Sequence, residues 1–197
     1  MNYNGAKSFI IEKLSRELKP DFYYHDLNHT LDVLQSVERL ANLENIASDD
    51  LVLLQTASLF HDAGMIKTYI GHEDASIELT EEFLPHFGYT PPQIGKINQM
   101  ILTTKLPQSA TGKLEQILCD ADLDYLGRDD FFMIAHRLKL EWSIQNIKTT
   151  TLKEWYLLQI SFLTNHSYFT KSAIESREAK KQENLAQIHE ILNGHLK

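Results

Sequence analysis

The sequence predicts an all-α protein, a helical bundle built as one domain over residues 1–197. Apolar residues recur at three-and-four spacing along almost the whole chain, and alternating strand-like runs are absent. Only five prolines and eight glycines punctuate the 197 residues, and no Pro/Gly/Ser-rich or low-complexity stretch marks a linker. A chain of this length can bury one sizeable core.

Taken in order, residues 5–18 read as a first amphipathic helix with Phe9, Ile10, Leu14 and Leu18 inward, stopped by Pro20. Tyr23 to Thr30 then lead into a helix that turns Val33, Val37, Leu40 and Ala41 to one side, with Asp26 as its N-cap. His29 lies four residues before Val33 and eight before Val37, so it shares their inward stripe. Ser48, Asp49 and Asp50 start the next helix, the acids favouring the positive end of its dipole, and that helix delivers His61 and Asp62. A loop is expected over 65–73, then a helix from Asp74 to Leu84 that Pro85 ends. Pro91-Pro92 opens another, with Ile94, Ile97, Ile101 and Leu102 on its face.

From Leu114 to Tyr125, apolar residues follow the i, i+3, i+4, i+7, i+8 pattern, and Asp122 interrupts their face. At 100° per residue, Asp120 and Asp124 stand about 200° and 160° away and are expected to point to solvent or a cleft edge. Asp129 or Asp130 caps a helix carrying Phe131, Ile134, Ala135, Leu138 and Trp142. Thr151-x-x-Glu154 is a capping box before Trp155, Leu158, Gln159, Phe162 and Leu163, and a last helix runs from Ser172 to Asn193. The Lys180-Lys181 pair reads as a solvated face of that helix.

The formal charge of −8 disfavours a long nucleic acid as partner, because phosphate contacts need cations; a small phosphorylated ligand on a metal stays compatible. Cys119 is the single cysteine, which excludes an internal disulfide and thiolate-rich zinc sites, and it reads as a small core residue. The polar N-terminus and the lack of an apolar run near the ~20 residues that cross a bilayer lead to the expectation of a cytoplasmic protein without a membrane partner.

Three helices thus each place a ligand-type residue on an apolar face: His29, the pair His61 and Asp62, and Asp122. Taken singly, each reads more often as a satisfied buried polar group than as a ligand, and Asp122 has a pair with Arg128 or a lysine as its alternative. Together, two imidazoles and two carboxylates make a mixed N/O site for one divalent cation such as Mn, Fe, Mg, Zn, Co or Ni, with positions left for water and substrate.

This pattern of a His, an adjacent His-Asp and a distant Asp resembles the HD-domain superfamily of metal-dependent phosphohydrolases. Tyr24-His25-x-x-x-His29-Thr30, Leu59-Phe60-His61-Asp62-Ala63-Gly64, His72-Glu73-x-Ala75-Ser76 and Asp120 through Arg128 are similar to that family's blocks, in order, over about residues 20–130. The resemblance implies that His29, His61, Asp62 and Asp122 are metal ligands. Trp155 through His166-Ser167-Tyr168-Phe169-Thr170 to Arg177 is similar to a C-terminal helical extension of some relatives, which assigns about 130–197 to such an extension. A metal there would polarise a phosphoryl oxygen and activate a water, so no serine or cysteine nucleophile is required.

The catalytic set expected from this reading is His25, Asp62, Lys105 and Arg128. His25, one helical turn before His29, is the candidate for the leaving-group proton, with a structural hydrogen bond as its alternative role. The Tyr-His-x-x-x-His spacing also resembles class I cyclic-nucleotide phosphodiesterases, but their further His three residues after the motif's Asp is Met65 here. His72 and Glu73 raise the question of a second metal, but Ile101 to Lys105 holds no histidine to complete it, so one ion is expected. Lys105 and Arg128 are then the candidates for phosphate contacts. His86, His136, His166, His189 and His195 have no ligand spacing and read as ordinary surface or core residues.

The expected function is hydrolysis of a phosphoester of a small molecule, a nucleotide or related metabolite. The alternatives are a cyclic-nucleotide phosphodiesterase and a sensor domain that binds metal or nucleotide without turnover. A homodimer stays open.

Overall fold

The computed structural model describes residues 1–194, and among these every regular element is a helix or a 3-10 turn. His195 lies outside the described residues. Helix α1 spans Tyr3–Glu17, with Asn2 Oδ1 accepting from the Gly5 amide at 3.0 Å. Helix α2 spans Leu27–Leu43, and Asp26 caps it by accepting from the His29 amide at 2.9 Å. Helix α3, Ser48–Phe60, runs into the 3-10 turn Ala63–Ile66, and α4 follows at His72–Phe83.

The expected loop over 65–73 is therefore shorter. It begins inside the 3-10 turn and ends where Gly71, at φ 75°, reverses the chain into α4. Helix α5, Pro91–Thr104, carries prolines in its first turn, where no intrahelical N–H is needed. Its inner face holds Ile94, Ile97 and Ile101, but Leu102 lies on the outer side, 40% exposed. Helix α6 is Lys113–Asp122, and α7, α8 and α9 are Phe131–Ile144, Leu152–Asn165 and Lys171–Gly194. Thr151 and Glu154 form the expected capping box of α8. Asp130 stands at the N-cap of α7 without capping it, because its carboxylate is held by Arg128.

Apolar side chains gather in two clusters. One joins α1 to α6, with α2 packed on α3 and α6, and α5 on α3, α4 and α6. Val37, Leu40, Leu54 and Phe60 in it are fully buried, each contributing about 1.5–3 kcal/mol relative to exposure. The other cluster joins Tyr125 and Leu126, in the 3-10 turn Asp124–Gly127, to Phe131, Trp155, Leu163 and Ile188 of the last three helices.

The seam between the clusters overturns the expectation that Asp120 and Asp124 point to solvent, since each is 1% exposed. The Asp120 carboxylate accepts from the amides of Phe169 and Thr170, both at 2.8 Å, and from the Thr170 hydroxyl at 2.7 Å, just ahead of α9. Asp124 accepts from Arg39 at 2.6 Å and from Arg177 at 2.7 and 2.9 Å. Helix α6 is covered on both sides, because Phe169 and Thr170 close over Asp120, while Asp124 belongs to the 3-10 turn packed against α9 rather than to the helix.

Lys181 also departs from expectation: it is 2% exposed, donating to the His166 carbonyl at 2.7 Å, paired with Glu178 at 2.9 Å and lying over the Tyr168 ring. Its neighbour Lys180 stays nearer the surface, paired with Asp129 and Glu183.

Candidate metal centre and its cavity

The segment that ends α3 is fixed by packing against α4. A Cβ placed on Gly64 would lie 2.0 Å from the His72 carbonyl and 2.6 Å from the Ser76 amide, so this close approach admits glycine alone. The Ser76 hydroxyl donates to the His61 carbonyl at 2.7 Å and accepts from the Gly64 amide at 2.8 Å, tying α4 to both sides of Asp62.

The structure brings His29, His61, Asp62 and Asp122 together. His29 Nε2 lies 3.3 Å from His61 Nε2, from Asp62 Oδ2 and from Asp122 Oδ1. His61 Nε2 lies 3.2 Å from Asp62 Oδ2 and 3.4 Å from Asp122 Oδ1. Donors held about 2.0–2.3 Å from a shared centre stand about 3–3.5 Å from one another, so this spacing suits a single small cation. The His61 ring donates from Nδ1 to the Ser58 carbonyl at 2.8 Å, which leaves the Nε2 lone pair facing the group.

The group is buried, with His61 fully covered and Asp122 the most accessible at 16% of its side chain. Among the described residues no lysine or arginine pairs with Asp62 or Asp122; their ion-pair partners are histidines alone. Burial pulls the His29 imidazolium down, but hydrogen bonds to Asp122 and Asp62 outweigh it and raise its pKa to about 9. His61 is raised in the same way. Burial pushes the Asp122 carboxyl up, while His29 and His61 bring it down to about 2, and Asp62 is also held well below its ordinary range. Two ionised carboxylates buried with neutral-capable imidazoles are a donor set that a divalent cation compensates.

Asp62 uses its second oxygen differently. Its Oδ1 lies 3.2 Å from His72 Nε2, while His72 Nδ1 donates to the Tyr69 carbonyl at 2.9 Å, and Glu73 is 3.7 Å from the same His72 nitrogen. His72 and Glu73 thus stand beside the four-residue group.

His25 faces the same cavity, its ring centroid 5.6 Å from that of His72 and 6.1 Å from that of His29. Its Nδ1 is hydrogen-bonded to Glu141 of α7, a side chain with no solvent exposure. The same carboxylate accepts from the amides of Tyr24 at 2.7 Å and His25 at 3.0 Å and from the Tyr69 hydroxyl at 2.8 Å. Sequence reasoning missed Glu141, although an acid on the inner side of an otherwise apolar helix is the same kind of signal that singled out Asp122.

Lys105 and Arg128 are not brought to this group. Lys105 points outward to Asp74 at 3.4 Å with half its side chain exposed. Arg128 donates to both oxygens of Asp32 at 2.8 and 2.7 Å and to Asp130 at 2.9 and 2.6 Å, on the wall of a separate cavity of about 220 Å³. Of the remaining histidines, His136 bonds its own helix at the Phe132 carbonyl, and the partly buried His166 has no partner on either ring nitrogen. Cys119 is buried against Thr103, and burial pushes its thiol up to about 12.

A cavity of about 500 Å³ opens from Asp62 and Asp122. Its near wall carries His25, His72 and Glu73, and its far wall comes from α7 and α8, with Leu138, Trp142, Leu158, Gln159 and Phe162. The last helices therefore close the space in which a ligand would meet the buried donors.

Residues 26–123 match a family model described as HD domain, and the match spans His29, His61, Asp62 and Asp122. The chain is also similar in fold to a crystal structure described as a predicted HD superfamily hydrolase from an uncultured Thermotogales bacterium. The TM-score is 0.60 at 21% identity over 96% of this chain and 90% of that one. At that identity the likeness speaks for the fold, and it extends through the C-terminal helices. No curated protein matches the chain. No helix among the described residues is long and apolar enough to cross a membrane.

Proposed function

We propose, from the premise that this chain belongs to the HD-domain superfamily, that it is a metal-dependent hydrolase cleaving a phosphoester of a small molecule. The observation that carries the reading is the convergence of His29, His61, Asp62 and Asp122, without a lysine or arginine partner, at the floor of a cavity of about 500 Å³. These four would hold one divalent cation. When bound, the ion supplies Lewis-acid polarisation of a phosphoryl oxygen and activation of a water.

The chain's own residues do the rest. His61 and His72 are oriented by backbone carbonyls, which keeps each Nε2 aimed at the carboxylates. His25 is the group placed to give a proton to the leaving oxygen. Glu141 accepts from its Nδ1, leaving Nε2 for the cavity. The arrangement parallels a carboxylate that orients a catalytic imidazole. Leu138, Trp142 and Phe162 limit water around the reacting group.

The test is a panel of phosphomonoesters, phosphodiesters and cyclic nucleotides offered to protein stripped with chelator and then reloaded with Mn²⁺, Fe²⁺, Zn²⁺ or Mg²⁺. Turnover that appears on reloading supports the reading. No turnover of any member, with the metal bound at one equivalent, overturns it in favour of a binding domain. Preference for cyclic over linear nucleotides would identify a phosphodiesterase.

A further inference from the structure

Gln159 on α8 is 6% exposed, and its Oε1 has no hydrogen-bond partner. A buried amide oxygen left unpaired is unfavourable; this one is closed to solvent, but the side chain that carries it lines the cavity that begins at Asp62 and Asp122, so a turn of the amide about its last torsion presents the oxygen to a ligand there. Around it stand Trp142, Leu158 and Phe162, flat or apolar surfaces suited to the face of a ring. Among the described residues no lysine or arginine lines the cavity, whose charged groups are Asp62, Glu73 and Asp122 besides the histidines. A volume of about 500 Å³ lies within the range of small-molecule sites.

We propose that Gln159 is a specificity-determining residue whose amide receives an N–H or O–H donor from the uncharged ring body of a substrate bearing a single phosphoryl group. The phosphoryl half of this statement rests on the hydrolase reading, whereas the ring half concerns binding alone. The division of labour follows the chain. The α1 to α6 core supplies the buried donors, and the C-terminal helices supply the surface that selects the ligand. A polyphosphate is disfavoured, since among the described residues no lysine or arginine lines the cavity to meet its further charges. A site built to pair a ligand donor rejects the analogue that lacks the group, because the amide is then left unpaired.

Binding is measured by calorimetry on the Mn²⁺-loaded full chain with the four common nucleoside monophosphates, ribose 5-phosphate and ATP. At least one monophosphate is expected to bind tenfold or more tighter than both ribose 5-phosphate and ATP. Q159L, which keeps the shape and removes the amide, is expected to shrink the ratio of that monophosphate to ribose 5-phosphate at least tenfold. ATP or ribose 5-phosphate binding as tightly as every monophosphate overturns the proposal, and this arm needs no variant. An unchanged ratio in Q159L overturns it as well. Turnover of the same compounds is followed in parallel. Gln159-dependent binding without turnover supports ring recognition while removing the hydrolase reading, and turnover indifferent to Q159L does the reverse.

Discussion

Glu141 and His25, 116 residues apart, are joined through one hydrogen bond between carboxylate and imidazole Nδ1, with the backbone amide of His25 on the other carboxylate oxygen. Helix α7 therefore reaches the edge of the cavity, fixing the ring and the loop before α2.

Glu141→Gln keeps the shape and removes the charge, so turnover is expected to fall about 10–100-fold, with metal content unchanged. The imidazole loses the acceptor that holds its Nδ1 proton, so the loss is expected in kcat with KM little changed. Partial restoration by Glu141→Asp, with the loss confined to kcat, would mark a positioning role. Equal loss in both variants, together with a lowered unfolding midpoint, would mark a purely structural one.

Gly64→Ala forces a methyl group into the His72 carbonyl and the Ser76 amide. The expected cost is about 1–3 kcal/mol in urea unfolding, with metal affinity reduced because Asp62 moves with the turn. A variant as stable as the parent would show that α4 yields more easily than the contact distances allow.

Asp124→Ala leaves Arg39 and Arg177 without their shared buried acceptor. A loss of about 2–4 kcal/mol is expected, with limited proteolysis beginning ahead of α9. Cleavage confined to α1 in that variant would contradict the anchoring role.

His166 faces Lys181 on one side, with Glu178 and the Tyr168 ring close by, and neither of its nitrogens has a partner. Burial, then the Lys181 charge, lower its pKa to about 4. The unfolded chain binds the proton more readily, near the ordinary value of about 6.5. Its contribution is thus fully present above about pH 6.5 and is lost as pH falls toward 4, by about 1–3 kcal/mol. Replacing His166 with Phe should flatten this part of the stability profile, read by denaturant titration at pH 7 and pH 5. A parallel drop in both proteins would place the acid sensitivity elsewhere.

Helices and caps were legible because they follow local rules: Asp26, Thr151 and Pro91 act where their chemistry places them. The four convergent donors were legible because each breaks an apolar stripe, and periodicity shows the stripe without any knowledge of its partner. What the sequence hid depends on contacts between distant segments. Asp120 and Asp124 read as solvent-facing because nothing local says that Phe169 and Thr170 will close over the first, or that Arg39 and Arg177 will reach the second. Lys181 read as solvated because a buried ammonium is recognisable by its carbonyl, carboxylate and ring partners alone. Arg128 and Lys105 carried the right charge for phosphate, but Asp32, Asp130 and Asp74 engage them instead.

Whether four donors meet at one cation is read from the divalent metal content of purified protein, compared with His61→Ala, Asp122→Ala and His189→Ala. The account predicts about one equivalent in the parent and in His189→Ala, and loss in both other variants with helical circular dichroism retained. Full metal content in both His61→Ala and Asp122→Ala would contradict it.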